Sequence, residues 1–217
     1  MGMMLQRAIA TSALTVLLGV PCSAQTVQAL REPISRLDVA GNVGWLAAEI
    51  AEETRYDDWY SSGYAGLTAG WYWTNHLKTE IEAGWSATDQ RRSYIPVQQI
   101  GSAVIHRELE TDVATSRFAL GQLYQFGRNA GFHPYLGAGA DVTWERIDQR
   151  QLSYVGGVPP GNPQPFPRRT ETHVRPFVAL GFKAYMTPRA FFRTDLKVVI
   201  RGGADEVLTR FGFGVDF

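Results

Sequence analysis

The chain has 217 residues, enough for one large domain or a single barrel, and its 21 basic and 21 acidic residues cancel. That neutral balance excludes the basic footprint of a nucleic-acid binder. Glycine (22 residues) and aromatics (12%) are both high, which suits an all-β chain with crowded interior positions.

Residues 1–24 read as a secretory signal peptide. Arg7 supplies the positive start, residues 8–20 an apolar core too short to span a bilayer, and Cys22-Ser23-Ala24 the small residues before a cut at Gln25. The lone cysteine leaves with the signal, so the exported chain has no disulfide to stabilise it. Residues 25–35, with Arg31, Glu32 and Pro33, show no period and are expected to form a short periplasmic lead-in. No later run of about 20 apolar residues can cross a membrane as a helix. Two architectures remain: a soluble periplasmic β protein, or an outer-membrane barrel over residues 36–217.

Eight segments then alternate with a period of two, the mark of strands with one apolar face. They cover about 36–48, 60–73, 77–85, 111–126, 134–145, 173–186, 192–201 and 206–217. In the third, Leu77, Ile81, Ala83 and Trp85 alternate with Lys78, Glu80, Glu82 and Gly84. In the last, Val207, Thr209, Phe211, Phe213, Val215 and Phe217 alternate with Leu208, Arg210, Gly212, Gly214 and Asp216. Short turns follow the second, fourth and sixth segments. Long loops are expected at 49–59, 88–110 and 146–172, the last containing the proline-rich run 155–167. Short turns on one side and long loops on the other are the rhythm of a transmembrane barrel.

The charged face could point to water or into a lumen, and the tryptophans decide. Trp45, Trp85 and Trp144 sit on the apolar face at the ends leading to long loops. Trp71 and Trp73 sit at a short-turn end, level with Tyr124, Phe126, Phe192 and Phe217. Two aromatic girdles with aliphatic residues between them describe a band that faces lipid. A sheet in hydrocarbon must close, because an open edge would leave unpaired backbone groups.

The signal peptide, the eight segments and the ending F-G-F-G-V-D-F resemble the small OmpA-type outer-membrane β-barrels. The resemblance covers about 36–217. It implies an eight-stranded antiparallel up-and-down barrel in the cell outer membrane. It also implies that an aromatic terminus, here Phe217 with Phe213 and Phe211 behind it, is read by the outer-membrane assembly machinery. The peptidoglycan-binding domain of longer members is not expected after Phe217.

An eight-stranded barrel is narrow and filled by side chains. The inward Glu80, Glu82, Arg117, Asp141, Lys183, Arg193, Asp195 and Arg210 are therefore expected to pair as a charged plug. Arg117 should meet Asp141 and be approached by Glu80 and Glu82, and Arg193, Asp195 and Lys183 should cluster. The alternative is a narrow pore for ions or small solutes. Arginines at 91, 92, 146, 150, 168 and 169 mark the outer rim, where anionic lipopolysaccharide headgroups would lie. Catalysis is not expected. His76, His106, His133 and His173 lack partners at metal-ligand spacing, Asp57-Asp58 lacks the further ligands of a calcium loop, and Ser116 lies on the lipid face without a base. A lipid A acyl hydrolase or acyltransferase is the rival from another class. No cofactor or metal is expected. The barrel should be a monomer in the lipid bilayer, serving envelope structure or surface interaction.

Overall fold

The computed structural model describes residues 36–49, 59–100, 103–126, 131–155, 164–200 and 204–217; the readings of residues 1–35 and of most of the proline-rich run lie outside them. Within the described residues ten strands form: β1 (Leu37–Glu49), β2 (Trp59–Tyr72), β3 (Leu77–Ser86), β4 (Asp89–Ile100), β5 (Ala103–Gln125), β6 (Phe132–Val155), β7 (Gln164–Pro165), β8 (Arg169–Tyr185), β9 (Ala190–Ile200) and β10 (Ala204–Asp216). Eight of them close a ring in the order β1-β2-β3-β5-β6-β8-β9-β10, every pairing antiparallel. β1 pairs β10 from Asp38↔Asp216 to Ala48↔Glu206, so the first and last strands leave no open edge.

The wall is turned inside out relative to a soluble barrel. Trp71, Leu196 and Phe213 are 43%, 38% and 63% exposed, whereas Glu80 and Lys197 are 6% and 0% exposed. The apolar row of each ring strand faces outward and the ionised row faces the lumen, because successive side chains point to opposite faces. This is the arrangement a hydrocarbon solvent selects.

Two stretches expected as loops, 88–110 and 146–172, are largely strand. β5 and β6 run to 23 and 24 residues, about twice the length needed to cross a membrane. β4 and β7 pair onto their outer ends, making a ribbon that rises above the ring. Charged residues such as Glu108, Glu110 and Arg150 stand beside apolar ones such as Leu109 and Leu152, so no clean apolar period announces it. Charge pairing adds to its backbone ladder. Glu110 lies opposite Arg92 on β4 and opposite Arg150 on β6. Its carboxylate is 3.0 Å from Arg92 Nε and 2.7 Å from Arg150 Nε. Opposite charges facing each other across antiparallel strands contribute roughly 0.2–1 kcal/mol each.

Candidate functional site: the lumen and its outer mouth

The lumen contains an unbroken run of ion pairs whose members alternate in sign. At the short-turn end Asp216 and Asp38 face each other across the β1–β10 seam, a like-charge pair that would repel. Lys183 bridges them, with Nζ 2.6 Å from Asp216 and 3.1 Å from Asp38. Asp38 also takes Lys78 at 2.9 Å, and Lys78 takes Glu80 at 2.7 Å. Arg193 then grips Glu80 with two nitrogens, at 2.8 and 3.1 Å, and reaches Asp195 at 2.8 Å. Arg210 joins Asp195 at 2.7 Å to Glu82 at 2.5 Å. Lys197 joins Glu82 at 3.0 Å to Asp141 at 2.5 Å. Arg117 closes the run between Asp141, at 3.8 Å, and Glu206. Tyrosines satisfy further lone pairs: Tyr72 donates to Asp38 at 3.0 Å, Tyr135 to Asp195 at 2.6 Å, Tyr64 to Glu82 and Tyr185 to Asp216.

Apolar groups fill the space the ions leave. Leu46, Ala48, Tyr60, Tyr64, Val113 and Leu208 form one buried cluster towards the outer end; Ala119, Phe177, Ala179 and Val199 form another. Tyr64 lies across Gly84 and Gly66, and Phe177 across Gly121 and Gly139, where any added Cβ would collide with the ring. Glycine at these inward positions makes room for a large ring in a narrow tube. A cavity of about 10 Å³, lined by Glu80, Tyr135, Phe177 and Arg210 among others, holds roughly one water.

The eight lumen residues singled out from the sequence all point inward and are buried. Arg117 meets Asp141, and Arg193 meets Asp195. Other partners differ from expectation. Glu80 binds Lys78 and Arg193, and Glu82 binds Lys197 and Arg210; neither is paired with Arg117. Lys183 pairs with Asp38 and Asp216 rather than with Arg193 and Asp195. The reason is geometric: in so narrow a tube long side chains reach across to strands that are not hydrogen-bonded neighbours. Lys78, Lys197, Asp38, Glu206 and Asp216 complete the run. All share the parity of the charged face in the sequence, Glu206 included, two residues before Leu208 and four before Arg210.

Just past the outermost tryptophans, towards the outer end, the lumen takes on a different character. Glu145 on β6 lies opposite Glu171 on β8, and His173, two residues along β8, shares their face. His173 Nε2 is 3.6 Å from Glu171 and 3.9 Å from Glu145, and one ligand atom from each of the three residues falls within 4.8 Å of the others. Sequence spacing alone had given His173 no partner, because the cluster is made by cross-strand register.

On the outer surface Trp45, Trp85 and Trp144 are exposed at the ends towards the ribbon. Trp71, Trp73 and Tyr124 are exposed at the short-turn end, with Phe192 half-buried between Phe182 and Phe213 at ring separations of 6.3 and 5.3 Å. Phe211 and Phe213 on the outer face of β10, and Phe217 just past its end, are all exposed. The rim arginines are engaged with carboxylates. Arg91 binds Asp89, Arg92 binds Glu110, Arg146 and Arg168 bind Asp148, Arg150 binds Glu110, and Arg169 binds Glu171. Arg168, the nearer of its two arginines, holds the Asp148 carboxyl below the usual carboxylate range. Ser116 lies between Trp85 and Trp144 in the register.

The family described as outer membrane protein beta-barrel domain matches residues 12–217 of this chain. Among solved structures, the outer membrane protein OprG from Pseudomonas aeruginosa is 14% identical, with 84% of this chain and 97% of that chain covered and a TM-score of 0.52. The N-terminal β-barrel domain of Pseudomonas aeruginosa OprF is 16% identical, covering 84% and 98%, with a TM-score of 0.48. Neisserial surface protein A is 15% identical, covering 83% and 97%, with a TM-score of 0.46. No curated protein sequence matches the chain.

Proposed function

The chain belongs to the outer membrane protein β-barrel family, and from that membership we propose that it is a plugged, non-catalytic barrel of the cell outer membrane. In this reading residues 1–24 direct export and residues 25–35 lie in the periplasm. The barrel serves envelope structure or surface interaction as a monomer. Lipopolysaccharide surrounds its outer half, and the ribbon built on β4, β5 and β6 is the part presented outside the cell. The outer-membrane assembly machinery reads Phe211, Phe213 and Phe217 on the closing strand.

The observation that carries the proposal is the filled lumen. Its charges run in alternating sign from Asp216 to Glu206, and the cavity among them is about 10 Å³, room for roughly one water. Purified protein in a planar lipid bilayer should give no discrete openings. Openings that vanish in Arg117→Ala or Glu82→Ala would overturn the plug in favour of a narrow pore. Lipid A from expressing cells should keep its acyl pattern by mass spectrometry; a lost or added acyl chain would overturn the non-catalytic reading.

A further inference from the structure

The barrel sets two carboxylates against each other at both ends of its lumen and bridges them with a lysine or arginine at only one. At the short-turn end, Asp38 and Asp216 oppose each other across a strand seam and Lys183 sits between them. At the outer mouth, Glu145 and Glu171 oppose each other across the β6–β8 seam, and no lysine or arginine nitrogen lies within 4.0 Å of Glu145 among the described residues. The Glu145 side chain is only 5% exposed, and its Oε1 has no hydrogen-bond partner there. Leaving a buried carboxylate oxygen without a donor is costly, so such an atom is normally matched by something.

We propose that Glu145, Glu171 and His173 form a binding site for a divalent transition-metal ion that bridges β6 and β8 at the outer mouth. The donor set is two carboxylates and one imidazole, which suits zinc with its fourth position left to water. Ligand atoms around a tetrahedral ion at about 2.0–2.2 Å stand roughly 3.4 Å apart. The observed 3.6 and 3.9 Å from His173 Nε2 therefore need only small side-chain adjustments. An ion has access from outside, since the side chains of His173 and Glu171 are 17% and 29% exposed. Two features act against binding and set its strength. Arg175, two residues along β8, adds a positive charge near the site, and Arg169 holds Glu171 at 2.9 Å.

The test is calorimetric titration of the full, untagged barrel in detergent with zinc chloride. One saturable site is expected, with Kd raised at least about tenfold, 1.4 kcal/mol, in each of Glu145→Gln, Glu171→Gln and His173→Gln. His76→Gln and His133→Gln should leave it unchanged. Glu171 is only part-buried, so its variant keeps the test alive if Glu145→Gln fails to fold, as judged by heat-modifiable migration in gels. Cobalt in place of zinc should give visible d–d bands that His173→Gln abolishes. Absence of saturable zinc binding, or binding equally tight in all three variants, would overturn the proposal.

Discussion

Replacing Lys197 by methionine removes a charge and shortens the side chain by one atom, at a position that is wholly buried. Lys197 Nζ lies 3.0 Å from Glu82 and 2.5 Å from Asp141, and 4.3 Å above the Phe177 ring. The two carboxylates do not lose equally. Glu82 keeps Arg210 at 2.5 Å and the Tyr64 hydroxyl. Asp141, with no exposed surface, keeps only the Thr143 hydroxyl at 2.8 Å and Arg117 at 3.8 Å. Breaking a buried pair by deleting one partner costs about 3–5 kcal/mol because the other charge is stranded. With Arg117 still nearby, Lys197→Met should fall at the lower end, about 3 kcal/mol. Adding Asp141→Asn removes the stranded charge, and the double variant should recover about 2 kcal/mol of coupling. That is roughly a 30-fold change in the unfolding equilibrium. Reversible urea unfolding in lipid vesicles, followed by tryptophan fluorescence, measures the cycle. If the double variant were as unstable as the sum of the two single ones, the account of the lumen as interdependent ion pairs would be refuted.

Other outcomes follow from single contacts. Gly84→Val should displace the Tyr64 ring and free the Glu82 carboxylate, costing about 1–3 kcal/mol in the same unfolding assay; an unchanged midpoint would deny that the ring is wedged there. Asp148 is held below its usual pKa by Arg168, so its contribution is present above the unfolded carboxylate pKa and fades as pH falls through the lowered folded value. Arg168→Gln should move the Asp148 titration midpoint upward by NMR, and no movement would contradict the pairing. Phe217→Ala and Phe213→Ala should lower the fraction of chains that reach the heat-modifiable folded form in the outer membrane, while leaving refolding in detergent nearly unaffected. Equal losses in both settings would assign these rings to stability rather than to recognition.

The ring was legible in the sequence because a wall with lipid on one side and packed charge on the other leaves a period of two. Leu77 to Trp85 carries that alternation, and β3 forms where it runs. The ribbon was not legible. Glu108, Glu110, Arg92 and Arg150 lie above the lipid band, where neither face must be apolar, so the pattern disappears while the pairing continues. The lumen was half legible. Parity named the inward charges, but parity cannot say that Arg193 crosses the tube to Glu80, 113 residues away in sequence. The mouth was hidden for a related reason: Glu145 and His173 come together only through the β6–β8 register.

Tryptophan quenching in vesicles of brominated phospholipid shows whether the apolar row of this wall meets acyl chains. Trp45, Trp71, Trp73, Trp85 and Trp144 all face outward and are 42% to 65% exposed, so bromine on the acyl chains should quench most of the emission. Bromine placed towards the chain ends, at the bilayer centre, should quench less than bromine near the headgroups, because the rings lie in two bands. Emission untouched by brominated lipid, yet quenched by aqueous acrylamide, would contradict the account.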